Sequence, residues 1–259
     1  AVTVRDTGAS AVAVATARDL TRLGLLQQAP HVLLCHVARS VVDVNRPPQG
    51  GASASVLGGR VHEGYHSALD AALAAAAAAA RGAACFLDFH AQAHFRANGG
   101  VDFVELGYGV PLAALRQGPA LLGGDTEEGA SIRDACSLRR LWLDARGAGL
   151  PLELFDLVAG ERSLGCAMTR AGLPAAPRPG LPAVAGTMEA GSDSAAAAPH
   201  ATEAGGARVA HQLDKYFHGG HSWTLERLRA GELRVDALQI ELPIRRAGNS
   251  FHWAADAEC

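Results

Sequence analysis

The stretch Ala84-Cys85-Phe86-Leu87-Asp88-Phe89-His90-Ala91-Gln92-Ala93-His94 decides the fold. Its first half, Ala84–Phe89, is a short apolar run, and two histidines follow it. Two other runs share this form. His31–Val37 leads into Arg39-Ser40-Val41-Val42-Asp43-Val44-Asn45-Arg46, and Arg234–Ile240 leads into Glu241. Short apolar runs bounded by polar residues read as buried strands. Ligands of open α/β sheets bind beyond the carboxyl ends of strands. A histidine, a glutamate and paired arginines delivered to one sheet edge point to metal-assisted hydrolysis of an anionic substrate.

Helical patterns separate the runs. Residues from about Thr7 to Gly24 read as a helix, as do about His62 to Arg81, Ser131–Arg146 and Ser163–Ala171. Val101–Leu106, after Asn98-Gly99-Gly100, reads as a further strand. Pro47 to about Ser55 reads as an irregular loop. Strand, helix and strand at these separations predict βαβ units. The expected class is α/β: a three-layer domain with a mostly parallel or mixed sheet flanked by helices. It spans 1–259 as a single domain. Gly172–Arg208 breaks the pattern with recurrent proline, and 186–207, rich in Ala and Gly, reads as a flexible insertion that buries too little apolar surface to offset ordering.

Composition narrows the function. The chain has 259 residues, 49% of them hydrophobic, enough for a sizeable core. Lys+Arg 23 against Asp+Glu 26 offers no basic face, so nucleic acid is not an expected partner. No apolar stretch reaches the roughly 18 residues of a membrane span, so no membrane partner is expected. The 5 cysteines are scattered and include no C-x-x-C, and Cys35 and Cys85 lie inside apolar runs as small core residues. The chain opens at Ala1 with no charged-then-apolar leader. A cytoplasmic or other reducing compartment is the expectation.

Several clusters carry chemistry. His90 and His94 read either as zinc ligands, with Asp88 orienting one of them, or as histidines of a polar loop. Arg39, Asn45 and Arg46 either receive a carboxylate, which the planar arginine fork matches bidentately, or are held by Asp43. Glu241 ends an apolar strand, where a carboxylate is costly unless paired or functional. It is either a general base that later donates its proton, or a partner of Arg245 or Arg246. Tyr216–His221 is a glycine-flanked polar loop that lines the site or forms a plain surface turn. His62-Glu63-Gly64-Tyr65-His66 matches H-E-x-x-H, a pattern of zinc proteases. Gly64 is a poor residue inside a helix that must hold two ligands rigidly.

Together these segments resemble the N-formylglutamate amidohydrolase family. Arg39–Arg46 resembles its Arg-x-x-x-Asp-x-Asn-Arg segment, and Tyr65-His66-x-Ala68-Leu69 the start of its next helix. Leu87-Asp88-Phe89-His90 resembles its Asp-x-His strand, and Val104-Glu105-Leu106-Gly107-Tyr108 a segment of one branch. Phe217-His218-Gly219-Gly220-His221 and Leu238-Gln239-Ile240-Glu241 resemble its closing motifs. The likeness runs in order over nearly the whole chain outside the insertion.

The resemblance implies a zinc-carboxypeptidase-like fold and zinc-dependent hydrolysis of an amide or formamide bond in a small anionic N-acyl amino acid. It makes His90 a zinc ligand and Glu241 the catalytic carboxylate. Arg39, Asn45 and Arg46 receive the substrate carboxylate and polarise the scissile carbonyl, with Arg39 counted as catalytic. His218 and His221 are substrate contacts. It moves His62 and His66 toward a structural role. The family opens with a strand ending in a His-Gly or His-Ser-Gly segment that supplies the first zinc histidine, and this chain starts after that point. Asp6 falls where an acidic ligand would come from. Activity is expected only if the missing ligand is supplied, and the alternative is a non-catalytic homologue that binds a small carboxylate.

Overall fold

A computed structural model describes residues 8–26, 28–39, 41–51, 55–79, 84–92, 103–178, 219, 222–229 and 235–243. Asp6, His94, His218, His221 and the insertion 186–207 lie outside the described residues.

Among the described residues four strands form one mixed sheet: β1 (Ala84–Gln92), β2 (Val104–Gly107), β3 (Ala175–Ala176) and β4 (Val235–Pro243). Their order across the sheet is β1-β4-β2-β3. β1 and β4 run parallel, as do β2 and β3, while β2 and β4 run antiparallel. The helices are α1 (Ala9–Arg22), α2 (Pro48–Gly51), α3 (Val56–Ala79), α4 (Leu112–Gln117), α5 (Pro119–Gly123), α6 (Glu127–Ala135), α7 (Arg139–Gly147), α8 (Leu154–Val158), α9 (Leu164–Arg170) and α10 (Trp223–Arg229).

Strand alternation sorts the core into two clusters. Leu87, Phe89 and Ala91 of β1, Leu238, Ile240 and Leu242 of β4, and Val104 and Leu106 of β2 join one cluster, with residues of α1, α4, α5, α7 and α8. The intervening Ala84, Phe86, Val235 and Ala237 pack instead with Leu69 and Leu73 of α3 and Leu225 and Leu228 of α10. Helices therefore flank both faces of the sheet, as an α/β chain requires.

Four expectations need correction. His31–Val37 is irregular, and no described strand pairs with it. Apolar residues alone do not make a strand without a ladder partner; Leu33 packs against the α3–α10 cluster while Val32 and Val37 stay partly exposed. Ser131–Arg146 is two helices, α6 and α7. Between them Ser137 docks on β4: its N–H donates to Tyr108 O (2.8 Å), and its carbonyl accepts from Ala237 N (2.9 Å). Its hydroxyl donates to Ala237 O (2.5 Å). Those bonds take Ser137 out of the helical ladder. The loop after Pro47 contains α2, and Cys85 is exposed rather than in the core. No described helix is long and apolar enough to cross a membrane.

Candidate functional site

The sheet face toward α3 and α10 changes character along the strands. Ala84, Phe86, Val235 and Ala237 line its first half. On the same face, further along, come Asp88 and His90 of β1 and Gln239 and Glu241 of β4. Asp88 is in register with Gln239, and His90 with Glu241. Parallel neighbours in register point the same way, so all four side chains share the face. Across the antiparallel pairing Glu105 of β2 stands opposite Glu241, which adds a third member to the row His90–Glu241–Glu105. Glu105 is fully buried and Glu241 is 5% exposed.

Glu241 therefore lies inside β4, not beyond its end, and His90 lies inside β1. The polar residues occupy the carboxyl-terminal halves of two parallel strands rather than the loops that follow them. Gln239 Nε2 donates to Glu241 Oε1 at 2.6 Å and fixes the carboxylate from its own strand.

Asp88 is the hub of the β1 side. The Ser222 hydroxyl donates to its Oδ2 (3.0 Å), and His90 Nε2 lies 3.1 Å from its Oδ1. Burial by itself would raise the Asp88 carboxyl; His90, Ser222 and the nearby Arg39 guanidinium outweigh it and hold the carboxyl below the usual carboxylate range. Tyr65 of α3 is within charge range of this carboxylate. Burial, then Asp88, then Cys35 push its phenol up. Next to Tyr65 a groove of about 270 Å³ runs between Leu33–Val37 and α3.

The arginine segment forms a turn around Asp43. Arg39 Nε donates to Asp43 Oδ2 at 2.9 Å, and Arg46 Nε lies 3.9 Å from the same oxygen. The Asn45 N–H donates to Asp43 Oδ1 (3.1 Å) and the Arg46 N–H to Asp43 O (3.1 Å). Of the two readings of this segment, pairing with Asp43 is what the turn displays, and it sets both guanidinium groups on one side chain. Both arginines are brought to Asp43, and Arg39 also lies within charge range of Asp88.

H-E-x-x-H also resolves. His62 Nε2 donates to Arg46 O and His66 Nε2 to Val44 O, each at 2.9 Å. A nitrogen that donates to a carbonyl offers no lone pair to a metal. Catalytic zinc typically takes three protein ligands. Among the described residues no three His, Cys, Asp or Glu side chains gather as a ligand group. His90 alone does not make up such a centre, so the described residues do not by themselves fit a zinc ion.

Four contributors are not among the site residues expected from the sequence. Gln239, Glu105 and Gly219 lie inside the motif segments without a role of their own, and Gln239 and Glu105 are further marked as polar residues inside apolar strands. Ser222 carries a helix-start signal, since it precedes Trp223-Thr224-Leu225-Glu226 and accepts Leu225 N–H at 3.4 Å. Gly219, at φ +82°, packs on the Gly107 carbonyl of β2, where a Cβ would come within 3.1 Å. Gly107 is in register with Gln239, so Gly219 brings its part of the chain against the sheet beside the site. Compared with protein families, curated proteins and solved structures, the chain matches none of them.

Proposed function

We propose that this chain hydrolyses an amide or formamide bond in a small N-acylated amino acid of the N-formylglutamate type, on a domain akin to the zinc carboxypeptidases. The observation that carries the reading is the register pair His90–Glu241, set on one face with Arg39 in charge range of the neighbouring Asp88. A base, an imidazole and a guanidinium are the groups that acyl transfer to water needs.

In this reading the substrate carboxylate competes with Asp43 for Arg46 and Asn45, and Arg39 polarises the scissile carbonyl. Glu241 takes a proton from the attacking water as the new C–O bond forms. It returns that proton to the amide nitrogen as the C–N bond breaks, which releases an amine and a carboxylic acid. Gln239 holds the Glu241 carboxylate for both transfers. The resemblance adds Zn²⁺, with His90 and Asp6 as ligands, and His218 and His221 as substrate contacts; the proton steps stand on Glu241.

A second reading, binding of a small carboxylate without turnover, is favoured by one observation. Asp43 orients Arg39 and Arg46 together, and that arrangement receives an anion whether or not chemistry follows. Amine release from N-formylglutamate, measured with added Zn²⁺ and with a chelator, separates the two. Turnover in the parent that collapses in Glu241→Gln supports hydrolysis. Calorimetric binding of the same compound with no turnover in the parent overturns hydrolysis and leaves the binding reading.

A further inference from the structure

The turn that bears Asn45 and Arg46 presents three successive backbone carbonyls, Val44, Asn45 and Arg46, and each accepts a donor from outside the turn. His66 Nε2 serves Val44 O at 2.9 Å, the Trp223 backbone N–H serves Asn45 O at 3.2 Å, and His62 Nε2 serves Arg46 O at 2.9 Å. The donors are themselves stacked. The His62 and His66 ring centroids lie 4.6 Å apart, and the Trp223 ring lies 5.4 Å from the first and 4.4 Å from the second. Both histidines are nearly inaccessible, at 3% and 5% exposure.

We propose that His62 and His66, with Trp223, form a clamp that sets the Asp43–Arg46 turn, so that they are positioning residues for the anion-binding arginines. The inference deepens the reading of the site as a carboxylate receptor and rests on it for its functional consequence. The i, i+4 spacing of the two histidines puts both rings on one face of α3. Val44 and Arg46 are two residues apart in the turn, so one helix face meets alternate carbonyls. Each Nε2 must carry its proton to donate, which fixes the tautomer. The His66 Nδ1 is buried and has no hydrogen-bond partner among the described residues, as suits a neutral ring whose second nitrogen carries no proton.

The clamp matters because it holds three successive carbonyls of the turn from outside it. Asp43 organises it from within, through Arg39, Asn45 and Arg46. The Asp43 N–H donates to Gly51 O at 2.6 Å, which closes the α2 side. A backbone left to swing would spread Arg46 and Asn45 over many positions, and a bidentate receptor loses affinity when its arms are not preorganised.

The test uses the full chain. In His66→Leu, which keeps bulk and removes the donor, the Asn45 and Arg46 amides should exchange with deuterium at least about tenfold faster, the factor that one hydrogen bond of about 1.4 kcal/mol represents. Glutarate dianion, the probe ligand, should bind about tenfold more weakly, while kcat for N-formylglutamate changes less than KM. His62→Gln and His66→Gln, whose side-chain amides keep an N–H donor, should recover protection and affinity. Unchanged exchange in His66→Leu overturns the clamp. So does failure of both Gln variants to recover it, or loss of bound Zn²⁺ from them, which would make the histidines ligands. If His66→Leu does not fold, His66→Asn, whose shorter amide cannot reach Val44 O, takes its place. If the parent binds no glutarate, the carboxylate reading fails while the exchange experiment still judges the clamp.

Discussion

Ser222 Oγ donates to Asp88 Oδ2 at 3.0 Å across 134 residues of chain, and the same hydroxyl accepts the Leu225 N–H at 3.4 Å. The first turn of α10 is thus bonded to the strand that carries His90. The next residue, Trp223, gives its backbone N–H to Asn45 O at 3.2 Å. Two consecutive residues tie the strand-borne groups to the arginine turn. Ser222→Ala should therefore destabilise the protein by about 1–2 kcal/mol, through loss of a helix cap and of a charge-assisted hydrogen bond. A urea midpoint within error of the parent's would refute this.

Glu241→Gln retains shape and keeps a group for Gln239 to contact, but it cannot take a proton. Turnover should fall by roughly 10²-fold or more, with glutarate affinity close to the parent's. Full activity in this variant would remove Glu241 from the proton steps.

Gly51 lies under the arginine turn. A Cβ there would collide with the Asp43 carbonyl and stand 2.9 Å from the Arg46 carbonyl. Both obstacles are backbone, so the turn itself must move. Gly51→Ala should lower stability by about 1–3 kcal/mol, as overpacking does, and weaken glutarate binding together with it. Thermal unfolding and calorimetry check both halves, and an alanine variant equal to the parent in both would show that the turn yields without loss.

Acid should weaken the fold in two stages. Burial first, helped by His62 and Arg227 and opposed by the bond to Val44 and by Asp70, lowers the His66 pKa. The unfolded chain then binds the proton more readily than the folded one. Stability from this neutral ring is complete above the unfolded histidine value of about 6.5 and declines as pH falls below it. Asp88 behaves as a depressed carboxyl. Its contribution is present above the unfolded value of about 3.9 and is lost as pH falls through its folded value. Urea midpoints between pH 7.5 and 5.0 should show the first decline, flattened in His66→Gln. An equal slope in that variant would assign the effect to other groups.

Much of this arrangement was legible in the order of residues. Ala84–Phe89 and Val235–Ile240 read as strands from their apolar runs, and each has the other as its ladder partner, while polar residues fill the carboxyl-terminal halves of both strands. What local pattern could not convey was pairing. The sequence does not say that β4 lies between β1 and β2, or that Glu105 comes opposite Glu241, because those contacts depend on distant partners. Ser137 interrupts a continuous helical pattern for the same reason: its competitor for hydrogen bonds, Ala237, is 100 residues away. His31–Val37 has strand composition and lacks a described strand beside it. His62 and His66 carry a metal-site spacing, yet their partners are carbonyls, which no side-chain motif records.

The position of β4 has a further consequence, for the order in which the molecule can assemble. Among the described residues β1 and β2 do not pair with each other; each meets β4, and β3 joins through β2. A growing chain can form α3 and pair β2 with β3, but among the described residues the two halves share no ladder until residues 235–243 are present. Closure over such separations is slow, and open strand edges in the interval invite pairing with other chains. The same strand delivers Glu241, so the His90–Glu241 pair and the continuous sheet come into being in one step, and a chain stopped short of β4 would have neither.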